Sequence, residues 1–245
     1  MNISLEKIQK LPFVEQLYHF NSIESTNTFA KSLKDFPEKG IVLVCADKQT
    51  AGRGQRQNTF FSEVKGGLFA SIVCPIADIG SHFNYNRAIS LAIYDAVKST
   101  CPAARLSIKW PNDIYWGNKK LCGILLENIP QSSGYIVVGF GINVNTALQT
   151  FPEDIRDIAT SLLIETGKKH NEHVLLRRIL DWFWRYLALD SAAAHLLYSH
   201  RLYKKGWECE VNGQKGVFEG VHDDGRMLLK TGDKEILLSS GPVRF

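Results

Sequence analysis

The chain has 245 residues and a mass of 27.6 kDa, with 44% hydrophobic, 22% charged and 11% aromatic side chains. Those fractions exclude disordered and fibrous classes and leave enough material for one large core with a small appendage. A net charge of +4, from 29 basic and 25 acidic residues, is too mild to mark a nucleic-acid binder, which gathers Lys and Arg on one face.

Residues 1–16 carry charges throughout and have no apolar h-region, so no signal peptide is expected. The longest uncharged stretch, 128–152, is interrupted by Asn, Gln, Ser, Gly and Pro, and does not read as a membrane span. Cys45, Cys74, Cys101, Cys122 and Cys209 are scattered and form no CxxC. Most lie among apolar neighbours, as free thiols do in a reducing compartment, and a cytoplasmic location is expected.

In chain order, the first twenty residues have room for one strand or one short helix. A helix is predicted from Ser25, Thr26 and Asn27, all good N-caps, with Phe29, Leu33 and Phe36 on one face. Strands are predicted over 41–46 and 68–74, flanking a polar, glycine-containing segment at 48–67. A helix over 87–99 buries Ile89, Ala92, Ile93, Ala96 and Val97. Strands follow at 106–110 and 121–127 around a turn at Gly117-Asn118, then at 135–144. Residues 159–165 and 174–189 read as helices. Beyond Tyr203 come short strands with turns at Asn212-Gly213, Asp224-Gly225 and Thr231-Gly232, a pattern that predicts a small β-barrel appended to an α+β core. Residues 201–245 hold eight basic and seven acidic side chains, so this appendage is no electrostatic nucleic-acid grip.

Four segments concentrate polar groups beside strands or helix starts. Ser25-Thr26-Asn27 either caps a helix or presents hydroxyls and an amide to a ligand. In the segment from Gln49 to Arg56, Gly52 and Gly54 flank Arg53, so backbone N–H groups and two arginines can approach an anion; a solvated surface loop fits the spacing equally well. No GK[ST] follows, which excludes a Walker A loop. Lys109-Trp110-Pro111-Asn112-Asp113 leads into a hairpin whose return strand carries Lys120 and Gly123. It is either a self-bonded turn or a pocket wall with two cations. Gly139-Phe140-Gly141 fails the dinucleotide fingerprint, because Val144 replaces its last glycine and no helix follows. Ser62 with Lys65, and Lys230-Thr231-Gly232, match penicillin-binding fragments by coincidence, since no S-D-N element is present. His170 and His173 have no third metal ligand nearby in sequence.

Taken together and in this order, the texts ESTNTFAK, ADKQTAGRGQRQNTFFSEVKGGLFASI, LSIKWPNDIYWGNKKLCGILLE and VVGFGINVN resemble the biotin–protein ligases, enzymes that attach biotin to acetyl-CoA carboxylase and related carriers. The resemblance runs from about residue 20 to 150. It implies an α+β fold: a mixed-sheet biotin/lipoate-ligase-like catalytic domain over 1–202 and a C-terminal SH3-like β domain over 203–245. It also implies biotin and ATP as substrates, Mg2+ arriving with ATP, biotinyl-5′-AMP as intermediate, and a biotin carboxyl carrier protein as partner.

By the same resemblance Lys120, Arg53 and Asp113 carry the catalysis. Ser25, Thr26, Asn27, Gln49, Gly52, Arg53, Gly54, Gln55, Lys120, Gly123 and Gly139 hold biotin. Arg56, Asn112, Asn143 and Phe60 face the nucleotide, and no protein-bound metal is implied. Gln55 stands where many family loops carry a second Arg, Gln57 replaces a glycine and Asn58 replaces another basic residue, which removes charge and backbone freedom. Because only about twenty residues precede the first motif, no DNA-binding role is expected. Lipoate–protein ligase and a non-catalytic biotin sensor are the alternatives. Two further expectations are that the 48–67 segment, with few apolar anchors, is mobile when empty, and that the strand ending near Asn143 lies at a sheet edge where two copies could pair.

Overall fold

The computed structural model describes residues 4–55, 58–76, 81–130 and 132–245. The elements are α1 (Leu5–Gln9), β1 (Val14–Phe20), α2 (Thr26–Ser32), β2 (Ile41–Ala46), β3 (Gly67–Pro75), α3 (His82–Thr100), β4 (Leu106–Lys109), β5 (Asp113–Trp116), β6 (Lys119–Ile129), β7 (Ser132–Asn143), α4 (Glu153–Arg156), α5 (Leu162–Thr166), α6 (Glu172–Leu187) and α7 (Ser191–Ser199). A second group follows: β8 (Glu208–Val211), β9 (Gln214–Val221), β10 (Met227–Thr231), β11 (Lys234–Leu238) and β12 (Val243–Arg244).

The first seven strands form one sheet in the order β1-β2-β3-β7-β6-β5-β4. β1 and β2 are parallel, and every other neighbouring pair is antiparallel. Alternation along the strands separates two faces. Ile41, Leu43, Ala70, Ile72, Val138, Phe140 and Ile124 point to one face, where α3 and α6 complete the main core. Val42, Val44, Val73 and Val137 point to the other, where Ala30 of α2 covers them. α2 is only seven residues long, so it covers one end of that face and leaves the remainder to the functional cleft.

The core follows from buried apolar periodicity: α3 and α6 turn Ile89, Ile93, Val97, Leu176, Ile179, Leu180 and Phe183 inward. The Asn171 side chain caps α6 by accepting from the Val174 N–H at 2.9 Å. All five cysteines are free and buried, and burial pushes the Cys45 thiol up to about 12. Among the described residues no helix is long and apolar enough to cross a membrane.

The five C-terminal strands form an antiparallel sheet in the order β11-β10-β9-β8-β12. Its Asn212-Gly213 turn has both residues at positive φ, +52° and +79°, as a two-residue hairpin requires. This module is fused to the main core: Phe218, Met227, Leu229 and Val243 share one buried cluster with the helices. The Trp110 indole N–H also donates to the Gly225 carbonyl at 2.9 Å.

Several expectations change. The first twenty residues hold both a helix and a strand. α2 stops early, with Leu33 already extended at φ −63° and ψ 145°; Phe36 precedes Pro37, where helix is disfavoured, yet it still packs in the α2 cluster. α3 begins at His82, five residues before the predicted start. α7, capped by the Asp190 carboxylate, was missed altogether. β7 is not an edge strand but lies between β3 and β6. The edges are β1 and β4, and the edge of β4 is covered where Ile108 bonds Arg201 and Tyr203 through the backbone.

Trp110→Phe leaves the Gly225 carbonyl without its indole partner and is expected to cost about 1–3 kcal/mol. Urea unfolding that gave the same midpoint for both chains would show that this bond does not tie the C-terminal module to the core.

Candidate functional site

Three glycines make the floor. Gly123, Gly139 and Gly141 lie on the sheet face that α2 leaves open, in the register Gly123↔Gly141↔Phe69 and Leu125↔Gly139↔Ser71. With no side chains there, a cleft of about 280 Å³ opens over bare backbone. A Cβ at Gly139 would stand 1.9 Å from Asn27 Oδ1, and one at Gly141 would stand 2.6 Å from the Phe60 ring. The clearance at Gly139 is therefore used by the Asn27 amide, and that at Gly123 and Gly141 by the Phe60 ring.

At the end beneath α2, Ser25, Thr26, Asn27 and Gln49 are buried and line the cleft. The Ser25 hydroxyl caps α2 by accepting from the Thr28 N–H, so the capping and ligand-facing readings of this triplet are compatible. Gln49 Oε1 accepts from the Thr26 N–H at 2.8 Å and also lies 3.1 Å from Thr26 Oγ1. Asn27 Nδ2 donates to Glu127 Oε2 at 2.9 Å, which turns its Oδ1 toward Ser71 Oγ at 2.6 Å. Ser71 Oγ is 2.7 Å from Thr26 Oγ1. Three oxygen–oxygen contacts thus run from Gln49 to Asn27 with only two hydroxyl hydrogens between them. This end has surplus acceptors, which suits a ligand bearing N–H groups.

Glu127 anchors this end. Its carboxylate pairs with Lys31 at 2.6 Å and with Arg53 at 3.3 Å. Burial pushes the Glu127 carboxyl up, but the Lys31 and Asn27 hydrogen bonds and the charges of Lys31 and Arg53 outweigh it and hold it below its ordinary value.

The polar segment after β2 is a small hairpin. Phe60 N–H donates to the Gly52 carbonyl, Gly54 N–H donates to the Asn58 carbonyl, and Arg53 is bridged to Thr59. A Cβ at Gly52 would meet Ser62 Oγ at 2.2 Å, so Gly52 shapes the hairpin, while Arg53, Gly54, Gln55 and Phe60 line the cleft. The expected scarcity of apolar anchors is not what the fold has: Phe60 packs edge-on to Phe69, and Phe61 packs on Phe151. Arg56 and Gln57 lie outside the described residues.

Across the floor, a register shift between β5 and β6 places Lys120 opposite Tyr115 instead of Leu121. Leu121 and Cys122 consequently both point into the core, and Lys120 swings onto the cleft face. Its ammonium meets Asp113 Oδ1 at 2.8 Å. The Lys120 backbone is clasped by residues 158–160, which donate and accept one hydrogen bond each. Asn112 lines the cleft with its side-chain N–H donated to the Ile124 carbonyl. Asn143 is absent from the cleft lining: it is buried and donates to the Thr160 carbonyl at 3.0 Å, supporting the segment that holds Lys120.

Sequence reasoning missed Ser71, Glu127 and, as a cleft residue, Pro242 of the C-terminal module. A lone serine within the apolar run Leu68–Cys74 was the available signal for Ser71.

Residues 19–143 match the pattern of the Biotin/lipoate A/B protein ligase family. The chain belongs to that family. A biotin--[acetyl-CoA-carboxylase] ligase of Paracoccus denitrificans is 31% identical over 228 residues, covering 84% of this chain and 91% of the relative. The bifunctional ligase/repressor BirA of Bacillus spizizenii is 29% identical over 228 residues, covering 89% of this chain and 70% of the relative. The solved biotin protein ligase from Aquifex aeolicus in complex with biotin and ATP superposes with a TM-score of 0.81 at 25% identity, covering 94% of this chain and 98% of that one. The α+β architecture with its small C-terminal β module is the fold of these ligases.

Gly139→Ala forces Asn27 off the floor and is expected to destabilise the chain by about 1–3 kcal/mol; an unchanged urea midpoint would show that Asn27 is not held there. Because the Glu127 carboxyl is depressed in the folded state, its stabilisation is complete above the ordinary value of 4.5 and is lost as pH falls through the folded value. The stability gap between the native chain and Glu127→Gln should therefore close on acidification. A gap that widens with acid would contradict this assignment.

Proposed function

We propose that the chain works as an ATP-dependent biotin–protein ligase: biotin and ATP form biotinyl-5′-AMP and pyrophosphate, and a carrier lysine then takes the biotin as an amide. The observation that carries this reading is Lys120, turned by a bulge onto a bare glycine floor between an acceptor-rich buried pocket and a second cationic strand. A carboxylate is a poor acylating agent and becomes reactive as a mixed anhydride with AMP. Forming that anhydride brings two anions together, which needs fixed cations and N–H donors.

The cyclic urea of biotin fits the pocket beneath α2. Its N–H groups meet the acceptor surplus of Thr26, Asn27 and Gln49, and its carbonyl takes the Ser25 hydroxyl hydrogen. The biotin tail runs over Gly139 and Gly123 toward Lys120, which neutralises the carboxylate and the α-phosphate. Arg53 shifts from Glu127 onto the same anions, and Gly52, Gly54 and Gln55 shape the hairpin that closes over them. Phe60 and Asn112 serve the nucleotide, as does Arg56 by family resemblance, while Asn143 acts through Thr160. Asp113 orients the carrier lysine and accepts its proton. Magnesium enters as the counter-ion of ATP.

The carrier is a biotin carboxyl carrier protein or domain of acetyl-CoA carboxylase or a related enzyme, matching the name of the Paracoccus relative. Residues 1–202 form the catalytic unit and 203–245 the appended module, in a cytoplasmic enzyme to which no DNA-binding role is assigned. Sheet pairing between two copies would use β1, whose outer edge has no strand partner among the described residues.

Biotin-dependent ATP–pyrophosphate exchange tests the first half-reaction, with Lys120→Ala expected to lower it by about 100-fold or more. Exchange with lipoate in place of biotin would make the chain the sister ligase. Biotin binding without exchange would make it a sensor.

A further inference from the structure

An amide side chain offers an acceptor on one side and two donors on the other, and the side that meets a ligand decides what the ligand must carry. For Asn27 the choice is made by its neighbours on β6. One Nδ2 hydrogen goes to the Leu125 carbonyl at 3.2 Å and the other to Glu127 Oε2 at 2.9 Å. Both donors are thereby spent, and Oδ1 faces Ser71 Oγ at 2.6 Å. The reverse orientation would set Oδ1 against a carbonyl and a carboxylate with no hydrogen between them. Burial pushes the Glu127 carboxyl up, but its hydrogen bonds from Lys31 and Asn27 outweigh that and keep it ionised, so it can only accept.

The pocket takes its polarity from this orientation. Asn27 is 5% exposed and Ser71 fully buried, and a Cβ at Gly139 would stand 1.9 Å from Asn27 Oδ1, so the amide is packed onto the floor. From Ser71 the contacts continue to Thr26 Oγ1 at 2.7 Å and on to Gln49 Oε1 at 3.1 Å. With Oδ1 turned inward, two hydroxyl hydrogens serve three oxygen–oxygen contacts. With Nδ2 turned inward, two more hydrogens would enter the chain and the surplus of acceptors would vanish. Glu127 is not itself in the cleft lining; it acts through Asn27.

We propose that Glu127 is the positioning residue that makes this pocket selective for a head group bearing N–H donors, a cyclic urea over a dithiolane or a plain alkyl chain. The inference rests on the ligase reading above. A buried acceptor left without a donor carries the full cost of its desolvation, so a ligand that lacks the N–H is rejected. Glu127→Gln removes the compulsion: a glutamine side chain can offer its own N–H to Asn27 Oδ1, which lets the amide turn and present a donor to the ligand.

The test uses biotin and its two cyclic-carbamate analogues, in each of which one ureido N–H is replaced by a ring oxygen, with binding to the full chain measured by titration calorimetry. In the unaltered chain at least one replacement is expected to weaken binding by about 100-fold or more. In Glu127→Gln the same replacement should cost less than about tenfold, while biotin itself binds about tenfold more weakly. Comparing the two ligands within one chain cancels any general effect of losing the charge beside Lys31 and Arg53. An equal analogue penalty in both chains would make Glu127 a counter-ion only and overturn the proposal. Should the variant not fold, neutron diffraction from the unaltered, deuterated chain decides: both deuterons of Asn27 Nδ2 should point toward Leu125 and Glu127, and deuterons directed at Ser71 would overturn it. Failure of the unaltered chain to bind biotin would instead remove the ligase reading and this inference with it.

Discussion

The cleft depends on one face of the central sheet being bare where α2 ends. Gly123, Gly139 and Gly141 place backbone where side chains would otherwise fill the space, and Asn27 and Phe60 come down onto it. The opposite face of the same strands carries Ile124, Val138, Phe140 and Ile142 in the main core. One layer of strands therefore serves as a packed core on one side and as a ligand platform on the other. Strand alternation makes that division possible without an additional structural layer.

Charge is organised on this platform by pairing. Lys31 and Arg53 share Glu127, and Lys120 meets Asp113. Such pairs keep cations oriented while no ligand is present, at separations from which an incoming anion can compete for them. Glu127 also orients Asn27, so the hairpin that carries Arg53 and the pocket beneath α2 are linked through one carboxylate. The backbone clasp on Lys120 from residues 158–160, supported by Asn143, holds the central cation by a bridge at the end of β6.

The C-terminal module is part of this arrangement. Trp110, in the turn leading to Asp113, donates to Gly225 of that module, and Gly241, Pro242 and Val243 close one wall of the cleft. The small sheet is thereby bonded directly to the turn that joins the strands carrying Lys109 and Asp113.

The amino-acid sequence by itself determined the local events. The Ser25 cap, the Asn212-Gly213 turn, the apolar strands β2 and β3, and the inward faces of α3 and α6 all follow from residue chemistry and spacing within one or two turns of chain. The four ligand-facing segments were legible too, because their polar residues interrupt apolar runs. Only the tertiary structure decided which segments meet. Asn27 and Glu127 are 100 residues apart and bond side chain to side chain; β7 lies in the middle of the sheet; and a one-residue register shift turns Lys120 to the cleft while Asn143 bonds the Thr160 carbonyl instead of lining it. Periodicity states which face of an element is apolar, but strand order, register and bulges come from the burial of all elements together. For that reason Ser71 and Glu127 emerged only once the sheet was assembled.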